Sequence, residues 1–229
     1  MPAAGSPRGA PVPPGAPQAS RATVWRSRDL VEVRFARPEL TVLAAHWKSQ
    51  SGGERTTEYL RRLEAALAVS LARNTPVSLA RSTPVLLVGD LNEDLHEYRQ
   101  HDGAYLTALL PLEAGSAAAR GGRKPAGGSL RFTAPGASLA ATRLTGEPVF
   151  RSLWGPESGA GTYFYRGRWE RLDQAFLLAG PEWEGSLRVV RDGDLVDDQG
   201  RPRRYDVRTS RGVSDHLPIA VTLTRRRSP

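Results

Sequence analysis

Val85-Leu86-Leu87-Val88-Gly89-Asp90-Leu91-Asn92 is the stretch on which the reading of this chain turns. Four consecutive apolar residues, β-branched at both ends, fit a strand buried on both faces. Gly89 ends the run, and Asp90 and Asn92 follow two residues apart. Residues i and i+2 of a strand share a face, so both side chains can address one ligand. The same four residues also fit an ordinary strand-ending turn.

Upstream of this strand, Glu54 to Ala72 carries the strongest helical pattern, with Tyr59, Leu60, Leu63, Leu67 and Leu71 as an apolar stripe expected to face the core. Between helix and strand, Ser70-Leu71-Ala72-Arg73-Asn74-Thr75-Pro76-Val77 recurs with one change as Ser78 to Val85. An eight-residue period is too short for a solenoid, and the duplication reads as a longer connector, whose closure cost grows only logarithmically. Further upstream, Leu30 to Phe35 alternates with strand period, Arg37-Pro38-Glu39 turns, and Leu40 to Ala45 reads as a second, more buried strand running into His46-Trp47-Lys48-Ser49. Residues 1–22 form a Pro/Ala/Gly-rich tract that cannot bury enough surface to fold and is expected to be disordered.

Downstream, a short helix is expected within Tyr98 to Leu112, and residues 113–148 read as an irregular insertion. Thr162 to Tyr165 and Trp169 to Leu178 read as strands about an Arg166-Gly167 turn. Leu187 to Val190 reads as another strand, and Pro218 to Leu223 closes the domain that spans 23–225. A basic tail occupies 226–229. Many strands and few helices predict an α+β domain of packed sheets.

Composition narrows the chemistry. The chain has 229 residues, no cysteine, 39% hydrophobic residues, 23 glycines and 18 prolines. Thiolate metal sites, disulfides and a cysteine nucleophile are excluded. No apolar run reaches membrane-spanning length, and Met1 to Ser20 has no apolar core of a secretory signal, which leaves the compartment open. The formal charge of +8 favours polyanions such as nucleic acid or phospholipid headgroups. Since Lys48 and Lys124 are the only lysines, the arginine-rich balance equally fits GC-rich coding DNA, and both readings stay open.

Three further segments carry candidate chemistry. Ser214-Asp215-His216-Leu217-Pro218 places a carboxylate beside an imidazole ahead of the last strand: a hard ligand for Mg²⁺ next to a group that shuttles protons or donates to phosphate. Asp173 sits in an apolar strand, where a lone carboxylate is costly, so it needs a partner. His216 is the favoured one, with Arg166 and Arg171 as alternatives. His46 ends a buried strand where it can reach a phosphate oxygen, with Lys48 and Ser49 beside it. Asp90 can orient or deprotonate a water while Asn92 donates to a phosphoryl group, as hydrolysis of a phosphate ester requires.

In their order, His46-Trp47-Lys48-Ser49, Gly89-Asp90-Leu91-Asn92, Arg171-Leu172-Asp173 and Ser214-Asp215-His216-Leu217-Pro218 resemble the motifs of the endonuclease/exonuclease/phosphatase superfamily, the DNase I-like group, and in particular its bacterial extracellular-nuclease-like members. The resemblance implies a four-layer α/β/β/α sandwich and a phosphodiester hydrolase dependent on Mg²⁺ or Mn²⁺, most simply a nuclease acting on nucleic acid. A phospholipid phosphodiesterase of the same fold is the alternative. It implies that Asp90 activates water, Asn92 stabilises the transition state, Asp173 orients His216, His46 binds a phosphate oxygen with Lys48 and Ser49 near the substrate, and Asp215 ligates metal. The resemblance also makes a secreted protein plausible. Family members open with a strand bearing an Asn and a later strand ending in a metal-binding Glu. Neither precedes His46 here, so the domain reads as N-terminally truncated. On that reading the chain is expected to need the missing portion, or another chain, to fold and act. An inactive remnant or basic polyanion-binding module is the remaining alternative.

Overall fold

A computed structural model describes residues 28–74, 83–113, 128–134 and 148–226. The 1–22 tract, the end of the basic tail and most of the duplicated connector lie outside these residues. The architecture is α+β. Eleven strands are described: β1 (Leu30–Ala36), β2 (Glu39–His46), β3 (Val85–Asp90), β4 (Leu109–Pro111), β5 (Leu130–Thr133), β6 (Val149–Ser152), β7 (Tyr163–Tyr165), β8 (Arg168–Glu170), β9 (Asp173–Leu178), β10 (Trp183–Val189) and β11 (Ile219–Arg225). Helix α1 spans Glu54–Asn74 and α2 spans Glu97–Gln100.

Seven strands form one mixed sheet in the order β1-β2-β3-β9-β6-β5-β4, β10 and β11 form a second antiparallel sheet, and β7 and β8 form a hairpin. The β2–α1–β3 crossover makes β2 and β3 parallel neighbours, with β9 antiparallel on the far side of β3. The β3 run is buried because it lies mid-sheet: Val85 and Leu87 are fully buried, Leu86 nearly so.

The two faces of the large sheet are covered differently. On one face Gln174 donates to the Glu93 carbonyl, and the Glu93 carboxylate meets Arg61 of α1, so the helix lies on that side. On the other face Arg151 of β6 donates to the Trp183 carbonyl of β10, which puts the second sheet there. Helix, sheet and sheet give three of the four layers of the expected sandwich, and the second sheet consists of two strands among the described residues. Cover on that face is incomplete at the β1 edge. By register Val31, Val33 and Phe35 share the face of Ala44 and Val42, and they are 54%, 40% and 48% exposed.

Two expectations need correction. Most of the α1 stripe does not face the core: Tyr59, Leu63 and Leu67 are exposed while Leu71 packs against it, and Arg61, Glu58, Glu64, Ala65, Ala68 and Ala72 are buried. The small alanines let the helix approach the sheet closely, and the charged residues satisfy one another. Arg61 pairs with Glu58 and Glu93 at 2.5 and 3.3 Å and bonds the Thr57 hydroxyl. A buried charge is tolerable only when paired and hydrogen-bonded in this way. The second correction concerns 113–148. Leu130–Thr133 is not irregular but strand β5, inserted in parallel between β4 and β6. The segments flanking β5 lie largely outside the described residues.

Candidate active site

Register builds the site. His46 is the cross-strand partner of Asp90, and Asp90 is the partner of Asp173. Paired residues project on one side of a sheet, so three polar side chains from three strands form one row on the face that carries the second sheet. Gly89 permits this close packing at the strand end. Its φ is +142°, and a Cβ there would lie 1.9 Å from the Ala45 carbonyl oxygen. Only glycine accepts that combination.

His216 joins the row from the other side of the domain. The segment before β11 is tied to β7 by a bridge between His216 and Tyr163 and by the Leu217 N–H donating to the Thr162 carbonyl at 2.8 Å. This docking sets the His216 Nδ1 2.7 Å from the Asp173 Oδ2, with both side chains largely buried. Of the partners open to Asp173, the imidazole is therefore the one it has. On the other side His46 Nε2 lies 3.3 Å from Asp90 Oδ2. A cavity of about 780 Å³ is lined by His46, Ser49, Asp90, Asn92, Asp173, Asp215 and His216.

Asn92 reaches this cavity by a different route from a shared strand face. The strand ends at Asp90, whose Oδ1 accepts the Asn92 N–H at 2.9 Å, and Asn92 takes a left-handed φ of +51°. Its side chain is buried and donates to the Trp47 carbonyl at 3.1 Å. An amide carries two N–H donors and this bond uses one. Lys48 is absent from the cavity lining. Its backbone is held against α1 by the Glu64 carboxylate, which accepts its N–H, and by Arg61, which donates to its carbonyl.

Titration follows the packing. Burial disfavours charge on Asp90, and the nearby Asp173 adds repulsion. Together these hold the Asp90 carboxyl above its usual range, although His216 and the Asn92 N–H pull it down. For His216, burial works against the cation, but the hydrogen bond and charge of Asp173, with the charges of Asp90 and Asp215, outweigh it and raise the imidazole pKa. A carboxyl with raised proton affinity thus lies near an imidazole that favours its protonated form.

Asp90, Asp173 and His216 each offer a ligand atom within 4.8 Å of the others. The Asp173 oxygen is already bonded to His216, which leaves Asp90, the nearby Asp215 and Glu170 as the other carboxylates lining the cavity, Asp90 and Asp215 being the two beside His216. Two carboxylates suit Mg²⁺ or Mn²⁺, which commonly takes one or two from the protein and completes its shell with water and phosphate oxygens. Asp215 is not a member of the compact cluster.

Sequence reasoning passed over Tyr163, Tyr165 and Glu170, which also line the cavity. Their signal is the strand alternation of Tyr163-Phe164-Tyr165 leading into Asp173: one parity faces the site, and Phe164 packs on Trp169.

No family model matches the chain, and no curated protein does. Solved structures do. A humanized TDP2 of D. rerio is similar at 15% identity and a TM-score of 0.41 over 85% of this chain and 59% of that one. A beta toxin variant of Staphylococcus aureus, with bound magnesium ions, is similar at 12% identity and a TM-score of 0.43, over 86% and 57%. An endonuclease/exonuclease/phosphatase family protein from Bacteroides thetaiotaomicron is similar at 15% identity and a TM-score of 0.34, over 81% and 50%. The chain thus spans little more than half the length of the proteins it matches. The last of these bears the name of the superfamily whose motif order the sequence resembles.

Proposed function

We propose that the chain is the catalytic part of a metal-dependent phosphodiester hydrolase, a nuclease, of that superfamily. The observation that carries this reading is the 2.7 Å bond between Asp173 and His216 beside Asp90, in one row at the mouth of one cavity. Asp90 takes a proton from the attacking water as its oxygen bonds phosphorus. His216, held in one tautomer by Asp173, gives a proton to the departing oxygen as the second P–O bond breaks. Asn92 supplies an N–H and His46 an imidazole to the non-bridging oxygens, where charge builds. Ser49 lies along the substrate path, and Lys48, placed off the cavity, is left out of it. Asp215, with Asp90, would hold Mg²⁺ or Mn²⁺, which supplies Lewis-acid neutralisation of the phosphoryl charge when bound.

The exposed side of β1 supports the further reading that additional polypeptide completes this face in the active protein. The test is hydrolysis of bis(p-nitrophenyl) phosphate and nicking of supercoiled plasmid with 5 mM Mg²⁺ (an assay setting of about millimolar order) against EDTA. Metal-dependent turnover abolished by Asp90→Ala is the expected result. Salt-dependent DNA binding without turnover, indifferent to Asp90→Ala, would instead mark a polyanion-binding module.

A further inference from the structure

Beside His216 the β7–β8 hairpin presents an aromatic ridge. The Tyr163 ring lies 4.8 Å from the His216 ring, and the Tyr165 ring stacks beside Tyr163 at 6.0 Å with 20° between planes. Both rings line the catalytic cavity, and Tyr165 is 43% exposed. Arginines flank the rings. The Arg204 guanidinium sits 5.5 Å from the Tyr163 ring centre and donates to its hydroxyl at 3.1 Å, and Arg166 sits 5.1 Å from Tyr165. Arg166 and Gly167 make the tight turn with φ of +49° and +83°, which fixes the ridge in place. On the reverse side Phe164 and Trp169 pack together at 5.2 Å and brace it. The hydrophobic payload of the hairpin core is thus Phe164 and Trp169, while the two tyrosines line the cavity.

We propose that this ridge is a stacking platform for unpaired nucleobases, so that the chain binds single-stranded nucleic acid in preference to duplex. The proposal rests on the phosphodiesterase reading for its site and adds the form of the substrate. Every base has a π-face, which makes stacking tolerant of sequence, and each stacked base contributes to affinity. Base faces are accessible in a single strand and closed within a duplex. Arg166 and Arg204 place positive charge where the backbone phosphates leading to His216 must run, and they add cation–π attraction. Glu170 lies on the same hairpin face, paired across from Tyr163, and is the one carboxylate of the ridge. Burial foremost, with Asp94 nearby, raises its pKa and weakens its opposition to phosphate.

The experiment is fluorescence anisotropy of the full chain with a labelled ten-nucleotide thymidine single strand and a ten-base-pair duplex, at fixed salt and in EDTA so that no cleavage occurs. The wild type is expected to bind the single strand at least about fivefold more tightly than the duplex. Tyr165→Ala is expected to lose at least that factor for the single strand with less than about a twofold change for the duplex, and Tyr165→Phe and Tyr165→Trp to retain the preference. Equal affinities of the wild type for both forms, equal losses for both in Tyr165→Ala, or loss in Tyr165→Phe with the same melting temperature would overturn the proposal. So would Tyr165-dependent binding to phosphatidylcholine vesicles without oligonucleotide binding. Failure of the wild type to hydrolyse bis(p-nitrophenyl) phosphate counts against the hydrolase reading alone, since binding in EDTA is measured apart from turnover.

Discussion

Replacing Asp173 by Asn tests how the site is wired. The substitution keeps the shape and removes the charge that faces His216 Nδ1 at 2.7 Å. A hydrogen bond to a charged group is worth about 1.5–3 kcal/mol, and one pKa unit corresponds to about 1.4 kcal/mol, so the His216 pKa is expected to fall by about one to two units. The carboxylates of Asp90 and Asp215 remain and keep part of the upward pull. The measurement is ¹H–¹⁵N NMR titration of the imidazole in wild type and variant. The basic limb of the pH–rate profile is expected to move down with it, because His216 must be protonated to act as an acid. Stability follows with a definite sign. The folded pKa of His216 lies above its unfolded value of 6.5, so its contribution is fully present below pH 6.5 and is lost as pH rises through the folded pKa. Asp173→Asn is therefore expected to destabilise most in acid and least in base. A His216 titration that stays within about 0.3 unit of wild type, against the one to two units expected from the bond, would refute the assignment of Asp173 as its electrostatic anchor.

Asp90→Asn is expected to lower hydrolysis by about 10²–10⁴-fold, and the acid limb of the wild-type profile is expected to lie above pH 3.8, since burial raises the Asp90 pKa. Arg61→Met removes the cation that pairs with Glu58, Glu93 and Glu97, at a cost of about 3–5 kcal/mol in urea melts near neutral pH. Burial, and for Glu97 the charge of Glu93, hold these carboxyls high, Glu97 at about 10, so the penalty is expected to grow as pH rises and the glutamates ionise without their counter-charge. Gly89→Ala drives a Cβ into the Ala45 carbonyl at a φ of +142°, and is expected to cost more than the 1–3 kcal/mol typical of backbone strain, read as a lower melting temperature with loss of activity. Leu67→Gln on the exposed side of α1 is expected to change stability by less than about 0.5 kcal/mol.

The parts of the site that lie at strand ends were legible in the sequence. Apolar runs mark β2, β3 and β9, and the polar residue ending or opening each run is His46, Asp90 or Asp173. The cost of a lone buried carboxylate pointed from Asp173 to His216. Asn92 was legible as a neighbour of the cavity but not in its geometry, because the left-handed turn after Asp90 does not show in residue types. The orientation of α1 misled for a specific reason. Leucine spacing predicts a core face only when the alternative face is polar and solvated, whereas here Arg61 and Glu64 are buried and paired with groups brought from Glu93, Lys48 and Arg28. Partners 13 to 36 residues away in sequence cannot be read from a helical wheel. Strand β5 was hidden because four residues between glycine- and alanine-rich stretches give too short an alternation.

Three of the polar groups in the site hang from adjacent rungs of one ladder, so the lattice of the sheet acts as their ruler. His216 alone is delivered by a separate tether, the short clasp between Thr162–Tyr163 and His216–Leu217. Heat or mild denaturant that slips this clasp would carry off His216 while the rungs still stand. On the proposed hydrolase reading, inactivation would then run ahead of melting, with the large sheet intact.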